Sequence, residues 1–474
     1  MKQIYLLLIL LSVVGHDAAF SQCSLPAPAN LEVKMSAESA TLTWTNSSAV
    51  AYYKVRHRKT GDALWITSAQ LTTTSYTITG LTPGISYDIR VVPYCTNNQQ
   101  GLFAFKVDTT LIPNIILIYL DDAPNGLTNT TGAPSFVQTP NIHKIFKKGM
   151  DFPLNSCIIS LCAPSRAVMI TGHTPAQTGV IDNSTQANFN MSLPTLGERL
   201  KEKGVYTAAL GKFHDVIGIH GADDWSYRYE SVTSQSAATV KFSRNGGPWK
   251  KAGTDSIITK VLTDTAIALI QNTAQPLFLL LAVRDPHTPT KVPAPFNHYY
   301  DNEVITLGAN TAPYTDLYPS FLYDLPNKNY KEEQAMIATL KDEYRALAYV
   351  DDRIGAIISA LKTTGKLENT MIIFTSDNGL MNSEHGIYGK RHPYKESVNV
   401  PLHIWYEEWF TPGSSNLLTS NIDLYATILD AVGIEDHTSA GYSIKEMYDG
   451  IATRATAYSS VSYTIEDNYQ DLAS

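Results

Sequence analysis

Hydrophobic and polar positions follow two different rhythms along this chain, and the change falls near residues 109–113. From residue 24 to 110 short runs rich in Thr, Ser, Tyr and Val alternate with period two. Leu42 and Trp44 alternate with threonines. Tyr53, Val55 and His57 mark one face of a second run, and Ile89 and Val91 share a face in a later one. Turn signals such as Thr60-Gly61-Asp62 and Pro83-Gly84 separate the runs. Several short strands at this spacing predict a small antiparallel sandwich.

Beyond residue 113 the apolar runs become continuous. Residues 114–120 (NIILIYL), 205–210, 277–283 and 371–375 read as strands buried on both faces. Between them lie helical patterns. TLGERLKEKG puts Leu196 and Leu200 on one face and stops at Gly204. Residues 255–271 have helical spacing, and 332–362 form a long helix with Met336, Leu340, Tyr344 and Leu347 in register. Alternating strands and helices predict an α/β fold, a mostly parallel sheet sandwiched by helices, preceded by the all-β sandwich.

Composition adds bounds. The 474 residues exceed one typical domain, and 44% hydrophobic with 17% charged residues is an ordinary globular mix. A net charge of −8 argues against nucleic acid as the partner, because phosphate neutralisation needs clustered Lys and Arg. An anionic substrate must therefore be drawn in by a local positive site. Residues 1–21 read as a signal peptide: Lys2, an apolar run over 4–14, and Ala19 and Ser21 at the −3 and −1 positions. A lipoprotein signal ending at Cys23 is the second reading. No later stretch looks transmembrane. The protein is expected to be exported, to the periplasm or outside the cell. The four cysteines, Cys23, Cys95, Cys157 and Cys162, allow three full pairings.

Four predicted strands end in polar residues: Asp121-Asp122, then Gly211-Lys212-Phe213-His214, then Asp285-Pro286-His287, then Ser376-Asp377-Asn378-Gly379. Parallel strands bring their carboxyl ends to one edge, where open α/β sheets bind ligands. Asp121, Asp122, Asp377 and Asn378 offer only oxygen ligands, which suit calcium or magnesium better than zinc. Acidic pairs also occur elsewhere; Asp351-Asp352, inside the long helix, reads as a solvated face or a local ion-pair partner.

The most specific segment is SLCAPSRAVMITG, residues 160–172. Taken by itself, Cys162 could be a core residue, a disulfide partner of Cys157, a zinc ligand or a thiol nucleophile. Zinc is disfavoured, since no CxxC or close His-Cys spacing exists. Arg166 sits where a helix could start, and a helix N-terminus and a guanidinium both favour anions.

The segment resembles the signature of the type I sulfatases of the alkaline phosphatase superfamily. The resemblance runs from about residue 114 to 465. IILIYLDD resembles the family's opening strand and metal pair, TPNIHKIFKKGM its T-P-N-I helix, and GKFH its G-K-W-H. RDPHTP resembles its P-H-x-P segment, and FTSDNG followed by EHGIYGK its second metal segment and downstream lysine. The resemblance implies that a maturation enzyme oxidises Cys162 to formylglycine, whose hydrate attacks the sulfur of a sulfate ester. It implies calcium, with magnesium possible, on Asp121, Asp122, Asp377, Asn378 and residue 162. Arg166 would steady the hydrate. Lys212, His287 and Lys390 would hold sulfate oxygens, His287 would protonate the leaving alcohol, and His214 would accept the proton that lets the sulfated intermediate collapse. Arg391 and His392 beside Lys390 are candidates for a substrate rim, and His385 is a candidate to face the pocket.

Residues 22–110 resemble a fibronectin type III domain. LTPGISYDIRV places Leu81 and Tyr87 as in a tyrosine corner, and Trp44 stands as the core tryptophan. Cys23 and Cys95 lie near its two ends and are expected to pair. The catalytic domain is assigned to 111–474. Its final VSYTIEDNY looks like the start of a small C-terminal subdomain, most of which is expected to be absent. A sulfated glycan is the expected substrate class. The alternatives are a formylglycine phosphodiesterase or phosphonate hydrolase, and an inactive protein that binds sulfated glycan.

Overall fold

Period-two alternation gives strands with one buried face, whereas continuous apolar runs give strands covered on both, and the protein contains both kinds. A computed structural model of the protein describes residues 24–46, 49–128, 131–213, 224–229, 241–244, 250–251, 257–307 and 332–455. The chain divides into two units, residues 1–110 and 111–474. The expected signal peptide, Cys23, His214 and the C-terminal VSYTIEDNY segment lie outside the described residues. Among the described residues, no helix is long and apolar enough to cross a membrane.

The N-terminal unit pairs a three-stranded antiparallel sheet (Ala29–Met35, Ala40–Thr45, Ser75–Ile78) with a four-stranded one (Ile66–Thr67, Tyr52–Lys59, Ser86–Tyr94, Ala104–Thr109). Strand Ala40–Thr45 buries every second residue, which places Leu42 and Trp44 inside. Trp44 meets Tyr53 edge-on at 5.3 Å, and Val55, Ile89 and Val91 complete the core. Tyr87 Oη accepts from the Thr82 amide at 3.0 Å, closing the tyrosine corner. Cys95 is disulfide-bonded, while Cys157 and Cys162 are free thiols.

The second unit is built on a mixed sheet of ten strands among the described residues. Its centre is parallel. Strand Asn114–Asp121 lies between Leu277–Pro286 and Thr370–Ser376, and Tyr206–Gly211 pairs with the far side of Leu277–Pro286. All eight residues of Asn114–Asp121 and all ten of Leu277–Pro286 are buried. Strand Leu402–Trp405 runs antiparallel beyond Thr370–Ser376. Helices Ile258–Asn272 and Glu333–Thr363 pack on this sheet through Leu262, Ala266, Leu340 and Leu347. Helix Leu196–Lys201 starts with a capping box between Thr195 and Glu198, and Gly204 takes the left-handed φ of +71° that ends its turn.

One expectation is overturned. Asp351 is not solvated, and it makes no ion pair among the described residues. It is 2% exposed and accepts from the amides of Asn141 (2.9 Å) and Ile142 (2.7 Å) and from Asn141 Nδ2 (2.9 Å). It thereby caps the N-terminus of helix Pro140–Lys148, whose own Thr139 makes no side-chain cap. Burial pushes its carboxyl up to about 6. Asp352, one residue on and about 100° further round the helix, is exposed.

Candidate active site

The carboxyl ends of the parallel strands deliver their polar residues to one place. Asp121 closes strand Asn114–Asp121, and Asp122 follows in the left-handed region at φ 60°, a conformation that Asp tolerates better than most residues. Asp377 and Asn378 follow strand Thr370–Ser376. Asp122 N and Asn378 N both donate to Asp377 Oδ1, at 3.2 and 2.7 Å, so the two acidic segments are locked together across adjacent strands. Asn378 Nδ2 donates to Asp122 Oδ1 at 2.6 Å.

Cys162 is carried by a helix and not by a sheet strand. It is the first residue of helix Cys162–Thr171, which is buried along its whole length. The helix therefore begins at the cysteine itself and not at Arg166, which stands one turn in. Cys162 Sγ lies 3.5 Å from Asp121 Oδ1 and 4.0 Å from Asp122 Oδ1. Burial pushes the thiol up to about 12, although Lys212 and Lys390 work against it.

Three basic side chains converge on this centre. Lys390 Nζ lies 2.7 Å from Cys162 Sγ and 2.6 Å from Asp122 Oδ1. Lys212 Nζ is 2.6 Å from Asp121 Oδ2 and 3.6 Å from the sulfur. Arg166 binds Asp377 Oδ2 through Nε (3.0 Å) and Nη2 (2.7 Å) and donates from Nη1 to the Lys212 carbonyl at 2.8 Å. Burial alone would raise the Asp121 carboxyl. Lys212, His287 and Arg166 outweigh it and hold the group well below the usual range. Asp122 is likewise lowered, against the burial effect, chiefly by Lys390. Burial raises Asp377 to about 6 despite Arg166. Lys390 is held well above its ordinary value by the acids and the cysteine, which overcome the burial effect.

His287 Nε2 stands 3.6 Å from Asp122 Oδ2, while Nδ1 sits 2.6 Å from the Thr288 carbonyl. Arg284 Nη2, which can only donate, lies 3.3 Å from the same nitrogen, but the much shorter contact is to a carbonyl that can only accept, which assigns the proton to Nδ1 and leaves Nε2 facing the site. Burial lowers His287 to about 4, so the imidazole is neutral near pH 7. Cys162, Asp121, Asp377 and Asn378 are at most 1% exposed, whereas the Lys212, Lys390 and His287 side chains keep 11, 12 and 15%. Lys212, Lys390 and His287 thus form the open side of the site, while Arg166 is buried.

The residues fit a hard divalent cation. Ligand atoms of Asp121, Cys162 and Asp377 lie within 4.8 Å of one another. Asn378 Oδ1 is buried and has no hydrogen-bond partner among the described residues, an orphan acceptor that a metal would satisfy. Carboxylate and amide oxygens are the donors that calcium and magnesium take.

Some expectations need revision. His392 is not on a rim: it is 2% exposed, its amide donates to Ser397 Oγ (3.3 Å), and burial lowers it to about 4. Arg391 is held by an ion pair with Asp182. His385 stacks on Tyr394 at 4.2 Å. Supporting residues emerge that local pattern does not reveal. Ser165 Oγ donates to the Asp377 carbonyl at 2.5 Å and accepts from Asn421 Nδ2 at 2.6 Å. The Tyr119 ring lies 5.1 Å from the Arg166 guanidinium. Arg284 Nη2 donates to the Thr288 carbonyl at 3.0 Å, bracing the loop that carries His287. Ser165 lies inside the signature and Arg284 beside Asp285, so proximity in sequence is the signal that could have found them; Asn421 carries none.

The sulfatase family model matches residues 113–434, and the fibronectin type III domain model matches 26–106. Choline-sulfatase of Rhizobium meliloti (strain 1021) is 27% identical over 400 residues, covering 77% of this chain and 76% of its own. N-acetylglucosamine-6-O-sulfatase of Bacteroides thetaiotaomicron is 26% identical over 404 residues, covering 72% of this chain and 70% of its own. Among solved structures, a protein in complex with its substrate D-glucosamine-2-N,6-O-disulfate superposes with a TM-score of 0.63 at 24% identity, covering 72% of this chain and 81% of that one. The phosphonate monoester hydrolase of Silicibacter pomeroyi superposes with a TM-score of 0.58 at 22% identity, covering 73% and 78%. These two likenesses concern the fold alone. The family match spans well over half the chain: the protein belongs to the sulfatase family, a sulfuric ester hydrolase with an N-terminal fibronectin type III domain.

Proposed function

We propose that this protein hydrolyses sulfate esters on a sulfated glycan, using a formylglycine that a maturation enzyme makes from Cys162 and a divalent cation of the calcium type. The observation that carries this reading is the placement of two lysine ammonium groups, at 2.7 and 3.6 Å, on a buried cysteine beside the acidic cluster. The Cys162 sulfur marks where the formylglycine oxygens would stand. Asp121, Asp122, Asp377 and Asn378 would hold the cation, which would offset negative charge on the sulfate oxygens.

The chain's own residues then have distinct tasks. Lys212 and Lys390 bind the sulfate oxygens and stabilise charge as it shifts toward the leaving oxygen. Arg166, fixed by Asp377 and by the Lys212 carbonyl, orients residue 162 and ties the cysteine helix to the lysine's strand end. His287 presents Nε2 to the site and delivers a proton to the departing alcohol; a bound sulfate anion raises its proton affinity to that end. His214 is assigned the proton that frees residue 162 for the next cycle. The glycan assignment draws on the sugar sulfatases among the relatives. We also assign residues 1–21 to an export leader and 22–110 and 111–474 to the two domains.

The mass of the peptide spanning residue 162, from protein made in its own host, tests the proposal. Replacement of the thiol by a carbonyl oxygen supports it. An intact thiol in protein that still releases sulfate overturns it. Turnover of an aryl sulfate against an aryl phosphodiester separates sulfatase from phosphonate hydrolase chemistry.

A further inference from the structure

The N-terminal unit carries a surface that its core does not require. In strand Ser86–Tyr94, Tyr87, Ile89 and Val91 point into the sandwich core, and Asp88, Arg90, Val92 and Tyr94 lie on the other face, where Asp88, Val92 and Tyr94 are themselves buried and Arg90 is half-buried. The register lines Arg90 up with Arg56 on one side and Phe105 on the other, and Asp88 with Arg58 and Val107. Trp65 lies over this row: its ring centroid is 4.1 Å from the Arg90 guanidinium and 4.5 Å from that of Arg58. Phe103 approaches Arg90 at 4.5 Å. Toward the other end Tyr52 stacks on Tyr94 at 4.8 Å, Lys54 sits 5.6 Å from the Tyr94 ring, and Arg56 Nη2 donates to Tyr94 Oη at 2.7 Å.

Two features of this face point outward to a ligand. The first is charge: among the described residues of these strands, Lys54, Arg56, Arg58 and Arg90 share this side with one carboxylate, Asp88, which Arg58 Nε binds at 2.9 Å, on a chain whose net charge is −8. The second is exposed apolar surface: Phe103, Phe105 and Val107 are 42, 50 and 49% exposed. Stacking of cations on rings explains how the guanidiniums are oriented. It explains neither the uncompensated charge nor the exposure of Phe105 and Val107, and contiguous exposed apolar surface of this kind marks interaction sites.

We propose that this outward sheet face is a binding surface for a sulfated polysaccharide. Aromatic rings take the apolar faces of sugar rings, and guanidinium forks pair with sulfate oxygens more closely than lysines do. Rings and cations spread along three adjacent strands suit an extended polymer better than a monosaccharide. The proposal takes its ligand class from the sulfatase membership but uses none of the catalytic residues.

Affinity electrophoresis of the full-length chain tests it, with dextran sulfate, unsulfated dextran and duplex DNA as probes in gels of equal salt. Cys162→Ala serves as background so that turnover plays no part. Dextran sulfate should retard the protein and dextran should not. Arg56→Gln/Arg90→Gln should weaken the interaction at least about tenfold, since a lost charge-assisted contact costs roughly that factor. Phe105→Ala should also weaken it. In the otherwise unaltered chain neither change should affect turnover of a small aryl sulfate. Unchanged retardation in both variants overturns the proposal. So does equal affinity for DNA with no effect of Phe105→Ala, which would be mere polyanion attraction, and so does self-association abolished by Phe105→Ala, which would make a second copy the occupant. If the double variant lacks a melting transition, Phe105→Ala with Lys54→Gln decides in the same way. Absence of aryl sulfate turnover in every form would instead refute the active-site reading, and retardation would still decide this one.

Discussion

The ammonium of Lys390 touches both Cys162 Sγ, at 2.7 Å, and Asp122 Oδ1, at 2.6 Å, so one side chain joins the buried cysteine to the acidic cluster. Its loop is anchored by the Arg391 amide, which donates to the Ser160 carbonyl at 3.1 Å, two residues before the cysteine. Lys390→Ala removes a fixed positive charge from where sulfate oxygens would sit. We expect kcat/KM on a small aryl sulfate to fall by about 10²–10³ with the fold retained. An unchanged kcat/KM would remove Lys390 from the machinery.

The orphan Asn378 Oδ1 and the carboxylates around it make a prediction about metal. Addition of calcium to chelator-treated protein should raise the melting temperature, by the equivalent of about 2.7 kcal/mol at a hundredfold excess over Kd. Magnesium should do less, because it keeps more of its water. In Asp121→Asn the calcium-dependent rise should shrink. A melting temperature indifferent to both ions would exclude the metal site.

Two buried groups should give opposing pH dependences. His392 is held near 4 by burial, below its ordinary 6.5. As pH falls from about 6.5 to 4 the unfolded chain takes a proton that the folded chain refuses, and stability is lost, by roughly 3 kcal/mol. Asp351 is raised to about 6 from 3.8. Here the folded chain keeps a proton that the unfolded chain releases, so stability is lost as pH rises through the same window, again by roughly 3 kcal/mol. The two largely cancel in the unaltered protein. His392→Gln should therefore gain on it as pH falls from 7 to 4.5, and Asp351→Asn should gain as pH rises. Thermal melts at the two pH values check both signs; parallel curves for either variant would refute its part.

What the sequence displays and what it hides follow from the range of the interactions. Continuous apolar runs mark the parallel strands, and parallel strands must bring their ends together, so Asp121, Lys212, His287 and Asp377 are legible as neighbours from the sequence. The period-two texture likewise discloses the core of the N-terminal sandwich through Leu42, Trp44 and Ile89. The capping role of Asp351 is hidden because helical patterning places it on a mixed face, and its partners, Asn141 and Ile142, lie 210 and 209 residues away. Asn421, which holds Ser165 across 256 residues, is invisible for the same reason. Lys390 becomes visible through family resemblance alone, because a loop lysine carries no periodic signal.

Gly211 offers a test of how backbone geometry positions the site. It closes strand Tyr206–Gly211 at a φ of +114°, where L side chains are strained. A Cβ there would lie 2.0 Å from the Ala282 carbonyl oxygen in the neighbouring strand, which itself accepts from the Lys212 amide at 3.0 Å. That oxygen belongs to backbone paired in the sheet centre and cannot swing aside. Gly211→Ala should therefore destabilise the protein by about 2–4 kcal/mol. It should also push the strand end outward, displacing the Lys212 ammonium and the carbonyl that Arg166 grips at 2.8 Å. Because a shift of about 1 Å at a positioned group can cost roughly a hundredfold, kcat should fall by about that factor well below the melting temperature. Gly204→Ala is the control: its φ is similarly positive at +71°, but nothing lies within 4 Å of its Cβ. It should lose stability and keep kcat. Equal kcat in the two variants would show that the close approach of Gly211 to Ala282 does not set the position of Lys212.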